Sequence, residues 1–374
     1  MEHVIHCTKC GLSYPAAGVP YRCQICGGLY AYSAPPPLDL AQADRSQPGI
    51  WKYRNTFGIC LGCEPVSLGE GNTPLVWAKI FGREVAFKCE YLNPSGSFKD
   101  RGSTVIASLL KSRNVSEAIE DSSGNAGASF AAYAARAGIK AKIFVPGSAS
   151  GPKCRQITSY GAKLIRIVGS RLDVADAVKQ KADEGEVYAS HAYLPFNMVG
   201  YATAAYEIFE QMDEKLPGTI VVPAGQGGFL LGLIHGFNQL RIAYDIPLPT
   251  MIGVQVASCA PLWKSFRNGP GDFDTASITP TCAEGVNVPV PIRQEEVIQA
   301  VKASGGGFQT VDEASILPGR DNLARLGFYV EPTSAIVWPV LKNNSEEWTD
   351  PIVVLLTGSG YKYEVNKPKE HKHA

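Results

Sequence analysis

From residue 85 to residue 356 the chain alternates short apolar runs with helical stretches, and this alternation most narrows what it can fold into. The strand-length runs are 85–89, 117–121, 141–145, 163–168, 187–189, 219–222, 250–255, 308–311 and 352–356. Between them lie helical segments such as 126–137, stopped by Gly138, and 230–240. Short buried strands alternating with helices predict mainly parallel sheets covered on both faces. Nine such runs exceed one compact sheet, so the expected fold class is α/β, with two domains and a cleft between them. The length of 374 residues accommodates that and a small appendage.

The appendage is legible in the cysteines. Cys7-x2-Cys10 and Cys23-x2-Cys26 are each followed by glycine (Gly11; Gly27 and Gly28) and are separated by twelve residues. Four thiolates at this spacing suit one tetrahedral zinc with no open position, hence a structural site; an iron–sulfur centre is the other occupant such a set takes. Residues 1–33 read as a zinc-ribbon-like segment and 34–64 as a linker, with Pro35, Pro36 and Pro37 stiffening it. Cys60 and Cys63 form a third pair read as two reduced thiols, while Cys89, Cys154, Cys259 and Cys282 read as small core residues. Residues 366–374, with His371 and His373, read as a disordered tail.

Lys+Arg and Asp+Glu both number 35, which removes the electrostatic argument for a nucleic-acid or anionic-membrane partner. No apolar run approaches the roughly 20 residues that span a bilayer. The first residues have no secretory or transit pattern, so a cytoplasmic protein is expected.

Four motifs carry chemistry. In Asn93-Pro94-Ser95-Gly96-Ser97-Phe98-Lys99-Asp100-Arg101-Gly102 a lysine sits in a tight turn at the start of an apolar helix. A desolvated amine there is nucleophilic enough to condense with a carbonyl near neutral pH. Ser122-Ser123-Gly124-Asn125-Ala126-Gly127 follows a strand and opens a helix, as an anion pocket or a plain capped turn would. Gly225-Gln226-Gly227-Gly228 lies between a strand and a helix and suits one phosphate group, lacking the dinucleotide spacing. Thr357-Gly358-Ser359-Gly360 ends the last buried strand, where open α/β sheets place ligands; a simple turn has the same look.

In this order the motifs resemble the fold-type II pyridoxal phosphate (PLP) enzymes, and within them the threonine synthase-like branch. Its further marks here are Ser67-Leu68-Gly69-Glu70-Gly71-Asn72-Thr73-Pro74-Leu75, Glu331-Pro332-Thr333-Ser334-Ala335 and residues 356–362, and the likeness covers about 45–365. The resemblance implies a tryptophan synthase β-like architecture, with a large PLP-binding domain at 65–103 and 217–365 and a small α/β domain at 104–216. It implies that Lys99 forms the Schiff base with PLP and carries protons, that Asn125 contacts the ring oxygen, and that Gly225, Gln226, Gly227 and Gly228 cradle the phosphate. Thr357 then faces the ring nitrogen, and Ser122, Ser123 and Ala126 bind the carboxylate of a small amino-acid substrate. A homodimer and conversion of O-phospho-L-homoserine and water to L-threonine and phosphate are also implied. The alternatives are β-replacement on an O-activated serine, as in cysteate or cysteine synthases, and β-elimination of serine or threonine.

The likeness breaks at one place. Where threonine synthases carry Asn-Ser-x-Asn-Pro-x-Arg, this chain has His191-Ala192-Tyr193-Leu194-Pro195-Phe196-Asn197. Loss of the guanidinium removes an anion anchor of about 1.5–3 kcal/mol, for which Lys153 and Arg155 are the candidate substitutes. His191 and Asn197 are kept as substrate-binding candidates that recognise a different leaving group or nucleophile.

Overall fold

The computed structural model describes residues 4–33, 38–59, 64–269 and 278–364. Cys60, Cys63, the prolines of the linker, and His371 and His373 lie outside the described residues. The described strands are β1 (Ile5–Cys7), β2 (Tyr30–Tyr32), β3 (Leu75–Ile80), β4 (Arg83–Lys88), β5 (Glu117–Glu120), β6 (Lys140–Pro146), β7 (Lys163–Ile167), β8 (Thr219–Pro223), β9 (Thr250–Val256), β10 (Gly307–Val311) and β11 (Ile352–Leu355). The helices that shape the cleft are α1 (Lys99–Ser112), α2 (Asn125–Ala137), α3 (Pro152–Ser159), α4 (Arg171–Asp183), α5 (Asn197–Gln211) and α6 (Gly228–Tyr244).

The strands form two α/β sheets and a small hairpin. The larger sheet has the order β10-β9-β8-β11-β4-β3, parallel throughout except for the antiparallel edge pair β3–β4. Its central strands are buried on both faces, which is why they read as continuous apolar runs. Edge strand β3 was not among the expected strands. Val76 and Trp77 are 40% and 45% exposed, so its residues alternate with no clear buried face. The second sheet, β5-β6-β7, is parallel. The run 187–189, expected as a strand, is a correction: it makes only the bridge Ile119↔Tyr188. The Ser190 hydroxyl accepts from the amides of Ala192 and Tyr193, and this turn ends the pairing.

Helices α1, α5 and α6 cross closely. A Cβ on Gly200 of α5 would lie 1.9 Å from the carbonyl of Arg101 in α1, and one on Gly236 of α6 would lie 2.5 Å from that of Ala202. Only glycine permits both approaches. Arg101 then reaches Glu90 and Glu207, each at 2.7 Å, while Lys88 reaches Glu207 at 2.7 Å, all of them buried. Burial alone would push the Glu207 carboxyl up, but Arg101 and Lys88 hold it well below the usual carboxylate range. Removing one partner from such a cluster costs about 3–5 kcal/mol, so it locks α1 against β4 and α5.

The N-terminal hairpin β1–β2 docks on the segment that follows β5's bridge partner. Tyr14 packs edge-on against Phe196 at 4.9 Å, and Tyr21 packs against Tyr188 and Tyr193, each at 5.3 Å. Arg22 donates to the Tyr193 hydroxyl at 2.9 Å, and Arg293 donates to the carbonyls of both Tyr30 and Tyr193. No helix among the described residues is long and apolar enough to cross a membrane.

Candidate active site

Three neighbouring parallel strands, β8, β11 and β4, deliver three of the four motifs from their C-terminal ends, the side of an open sheet that receives ligands. Beyond β4 the chain turns through Asn93–Phe98 into α1, whose first residue is Lys99. That turn is stitched to the end of β11: Phe98 donates its amide to the carbonyl of Thr357 at 3.1 Å, and Ser359 donates to that of Gly96 at 2.9 Å. The Phe98 ring stacks on Phe229 in the first turn of α6, with centroids 4.4 Å apart, and Lys99 Nζ lies 4.7 Å from the Phe98 ring centre. Lysine, glycine loop and Thr357 therefore meet. Burial lowers Lys99 to about 8, against a smaller upward pull from Glu120.

The glycine loop works through its backbone. Gly227 has φ of +76° and caps α6, and a Cβ on Gly225 would meet the Gly285 carbonyl at 2.6 Å. The Gln226 carboxamide oxygen accepts from the amide of Ile292 at 2.9 Å, which fixes the side chain and leaves its Nε2 and the main-chain amides as donors for a phosphate. Thr357 Oγ1 lies 3.0 Å from Ser334 Oγ, which accepts from the amide of Gly358. Asn125 donates Nδ2 to Glu331 at 2.6 Å, while its Oδ1 is buried with no partner, as is Ser97 Oγ. A glycine cradle at a helix N-terminus, a desolvated amine and two orphaned buried polar atoms fit a phosphorylated aldehyde with a polar ring.

A family model for "Pyridoxal-phosphate dependent enzyme" matches residues 66–358. The chain belongs to that family. It is 33% identical to a threonine synthase of Methanocaldococcus jannaschii over 373 residues, 95% of this chain and 92% of that one. It is 32% identical to a threonine synthase of Methanosarcina acetivorans, with 88% and 84% covered. Among solved structures, a maize serine racemase superposes with a TM-score of 0.66 at 22% identity, covering 78% of this chain and 89% of that one, a likeness of fold. The protein is thus a fold-type II PLP enzyme of the threonine synthase-like branch, of lyase type.

The substrate-side candidates of this PLP enzyme gather around the end of β5. The Ser122 hydroxyl accepts from Gly124, and the loop turns so tightly that a Cβ on Gly127 would lie 1.9 Å from the Ser122 carbonyl. Ser123 and Ala126 follow in the same turn, which opens α2. His191 Nδ1 lies 2.7 Å from Glu120 Oε1, and the amide of Ser122 donates to Glu120 Oε2 at 2.7 Å. Asn197 begins α5, buried, with Nδ2 on the His191 carbonyl and Oδ1 without a partner. Burial raises Glu120 to about 7, with Arg171, the Ser122 amide and Lys99 pulling downward. Burial also lowers His191 well below its usual value, helped by the charge of Lys99.

The two cations considered as substitutes for the absent arginine are committed elsewhere. Lys153 pairs with Glu331 at 2.9 Å, and Arg155 is a surface residue paired with Glu364. Sequence reasoning passed over Glu120, Glu331, Ser334 and Lys362. Lys362 is buried, donates to the Ser95 carbonyl at 2.8 Å, and is lowered by burial to about 8. Glu331, Ser334 and Lys362 lie in stretches that marked the family, but nothing in the spacing gives them a partner. Glu120 had a signal: an ionisable residue closing a strand, just before the anion loop.

Away from the cleft, the sulfurs of Cys7, Cys10, Cys23 and Cys26 all lie within 4.8 Å of one another, with Cys7 to Cys26 at 3.4 Å and Cys10 to Cys23 at 3.6 Å. Tetrahedral zinc–thiolate geometry puts sulfurs about 3.8 Å apart. The amides of Cys26 and Ile25 lower Cys23, whereas against the pull of the Gly28 amide the sulfurs of Cys7 and Cys10 push Cys26 up, the crowding of thiolates that a bound cation would relieve.

Proposed function

We propose that the protein exchanges the group carried by the side chain of a small L-amino acid. The favoured reaction is that of threonine synthases, O-phospho-L-homoserine and water giving L-threonine and phosphate. One observation carries the PLP chemistry of this reading: Lys99, an amine lowered to about 8, stands where the glycine loop and the end of β11 converge, with Asn125 Nδ2 close to Gly358. The likeness to threonine synthases favours their reaction. Bound PLP supplies the electron sink for negative charge at Cα. Lys99 holds the aldehyde and moves the Cα proton. The anion loop at Ser122, Ser123 and Ala126 orients the carboxylate, and Asn125 and Thr357 fix the ring. Four cysteine sulfurs hold a structural zinc that keeps the N-terminal hairpin folded.

A second reading, β-replacement on an O-activated serine, is favoured by Asn197, which offers no charge where the relatives' pattern has a guanidinium. Phosphorus and proton NMR of the PLP-loaded enzyme with O-phospho-L-homoserine separates the two. Threonine and phosphate in equal amounts support the first. No phosphate release, with release from O-phospho-L-serine instead, moves the assignment to the second.

A further inference from the structure

The buried pair Glu120–His191 is unexplained by cofactor binding, and its geometry has a direction. Glu120 is 1% exposed, while the His191 side chain is 18% exposed beside it. Glu120 Oε1 faces His191 Nδ1, and Glu120 Oε2 is taken by the Ser122 amide. The only hydrogen bond of the imidazole among the described contacts is therefore the one from Nδ1. A carboxylate at 2.7 Å from Nδ1 keeps the proton there and leaves the lone pair on Nε2. The pair is near enough to Lys99 for its charge to act on both partners. Behind it, Asp121 is held by Arg171 at 2.6 Å and by the Tyr188 hydroxyl at 2.6 Å, so the second carboxylate is committed. The Asn197 carboxamide, clamped on the His191 carbonyl with a buried, partnerless Oδ1, adds a further acceptor to this patch.

We propose that His191, oriented by Glu120, is the general base that activates the incoming neutral nucleophile, water or another protic H–Nu, at the substrate's Cβ. The inference rests on the reading above that Lys99 works at Cα. The H–Nu bond breaks, Nu keeps both electrons and bonds to Cβ, and the proton passes to Nε2. The electron pair displaced from Cβ ends at Cα, where Lys99 returns the proton it removed. With the leaving group on Cγ, a Cβ–H bond also breaks and that proton ends on Cγ in the leaving group's place; with the leaving group on Cβ, it departs from Cβ itself. In both cases it leaves as an anion with its bonding electrons and later carries away the proton from the pair as HX, so no oxidant or reductant is needed. Glu120, raised by burial, takes the Nδ1 proton as Nε2 gains one, which keeps the imidazole neutral. Glu120 is the positioning residue; His191 touches the nucleophile.

The test uses the PLP-loaded full chain in deuterium oxide with whichever of O-phospho-L-homoserine and O-phospho-L-serine it turns over. Deuterium exchange at Cα reads Lys99, and replacement product reads His191. In His191→Asn the ratio of product to exchange is expected to fall about 100-fold or more, the usual span of a lost general base. Added azide, already an anion, then restores product as the azido amino acid. An unchanged ratio, or loss of exchange and product together, overturns the proposal. So does water-derived product that azide leaves unaided. Nitrogen NMR of the ring-labelled wild type, with His191 assigned as the imidazole that Glu120→Gln shifts, is expected to show neutral Nδ1–H and bare Nε2 at about pH 8. A proton on Nε2 there overturns the proposal even if the variant fails to fold. Glu120→Gln is expected to shift the tautomer and lower the ratio. Absence of Cα exchange in the wild type with both substrates is a different failure: it removes the proposed function itself, and this inference with it.

Discussion

The two sides of the cleft are built from different materials. On the larger sheet's side the proposed cofactor residues hang on backbone: the glycine loop, the stitched turn before Lys99, and the end of β11. On the smaller sheet's side stand ionisable side chains, Glu120, His191, Asp121 and Arg171, with the N-terminal hairpin pressed against the segment that carries His191. Backbone cradles depend on where glycines fall, so they tolerate little change. Side-chain clusters can be exchanged while the fold stands, and this is where the chain departs from its relatives' pattern.

Substitutions on each side sharpen that contrast. The largest effect is expected for Lys99→Ala, which should abolish borohydride-reducible attachment of PLP and slow Cα exchange by about 1000-fold or more, checked by absorbance and proton NMR. Next is Gly225→Ala. Its Cβ would meet the Gly285 carbonyl at 2.6 Å, so PLP affinity should fall roughly tenfold or more in a fluorescence titration. An unchanged affinity would show that the cradle is not made of backbone.

The hairpin offers a milder test. Metal analysis of the wild type is expected to give roughly one zinc per chain, and Cys23→Ser should remove it. The substitution should also raise hydrogen exchange over 188–197 more than in the glycine loop. Equal loosening on both sides would erase the distinction between them. The gentlest probe is pH. The neutral amine is the reactive form of Lys99, and its pKa is lowered to about 8. Capture of PLP by the cofactor-free protein should therefore rise about tenfold per pH unit below about 8 and level off above it. A rise continuing to the ordinary lysine range of about 10.4 would contradict the burial of that amine.

Much of the backbone-built side was legible from sequence, because it is local. Glycines next to a strand end, a lysine at a helix start and a threonine closing an apolar run each announce themselves within a few residues. The parallel strands were legible because burial on both faces makes them continuous apolar runs; edge strand β3, half exposed, left no such trace. The side-chain-built side was hidden because its contacts are distant in sequence. Glu120 meets His191 across 71 positions, and Asn125 meets Glu331 across 206. Spacing has nothing to say about such pairs. The commitment of Lys153 to Glu331 was equally unreadable, since a lysine's partner is decided only by packing.

The central claim is that Lys99, and no other buried lysine of the cleft, carries the cofactor. Lys362 is the natural rival, since it too is lowered to about 8, and Lys153 lies near it. Borohydride reduction of the PLP-loaded enzyme, followed by peptide mass spectrometry, decides between them. A single phosphopyridoxyl adduct on Lys99 is the predicted result; an adduct on Lys362 or Lys153, with Lys99 unmodified, would contradict the account.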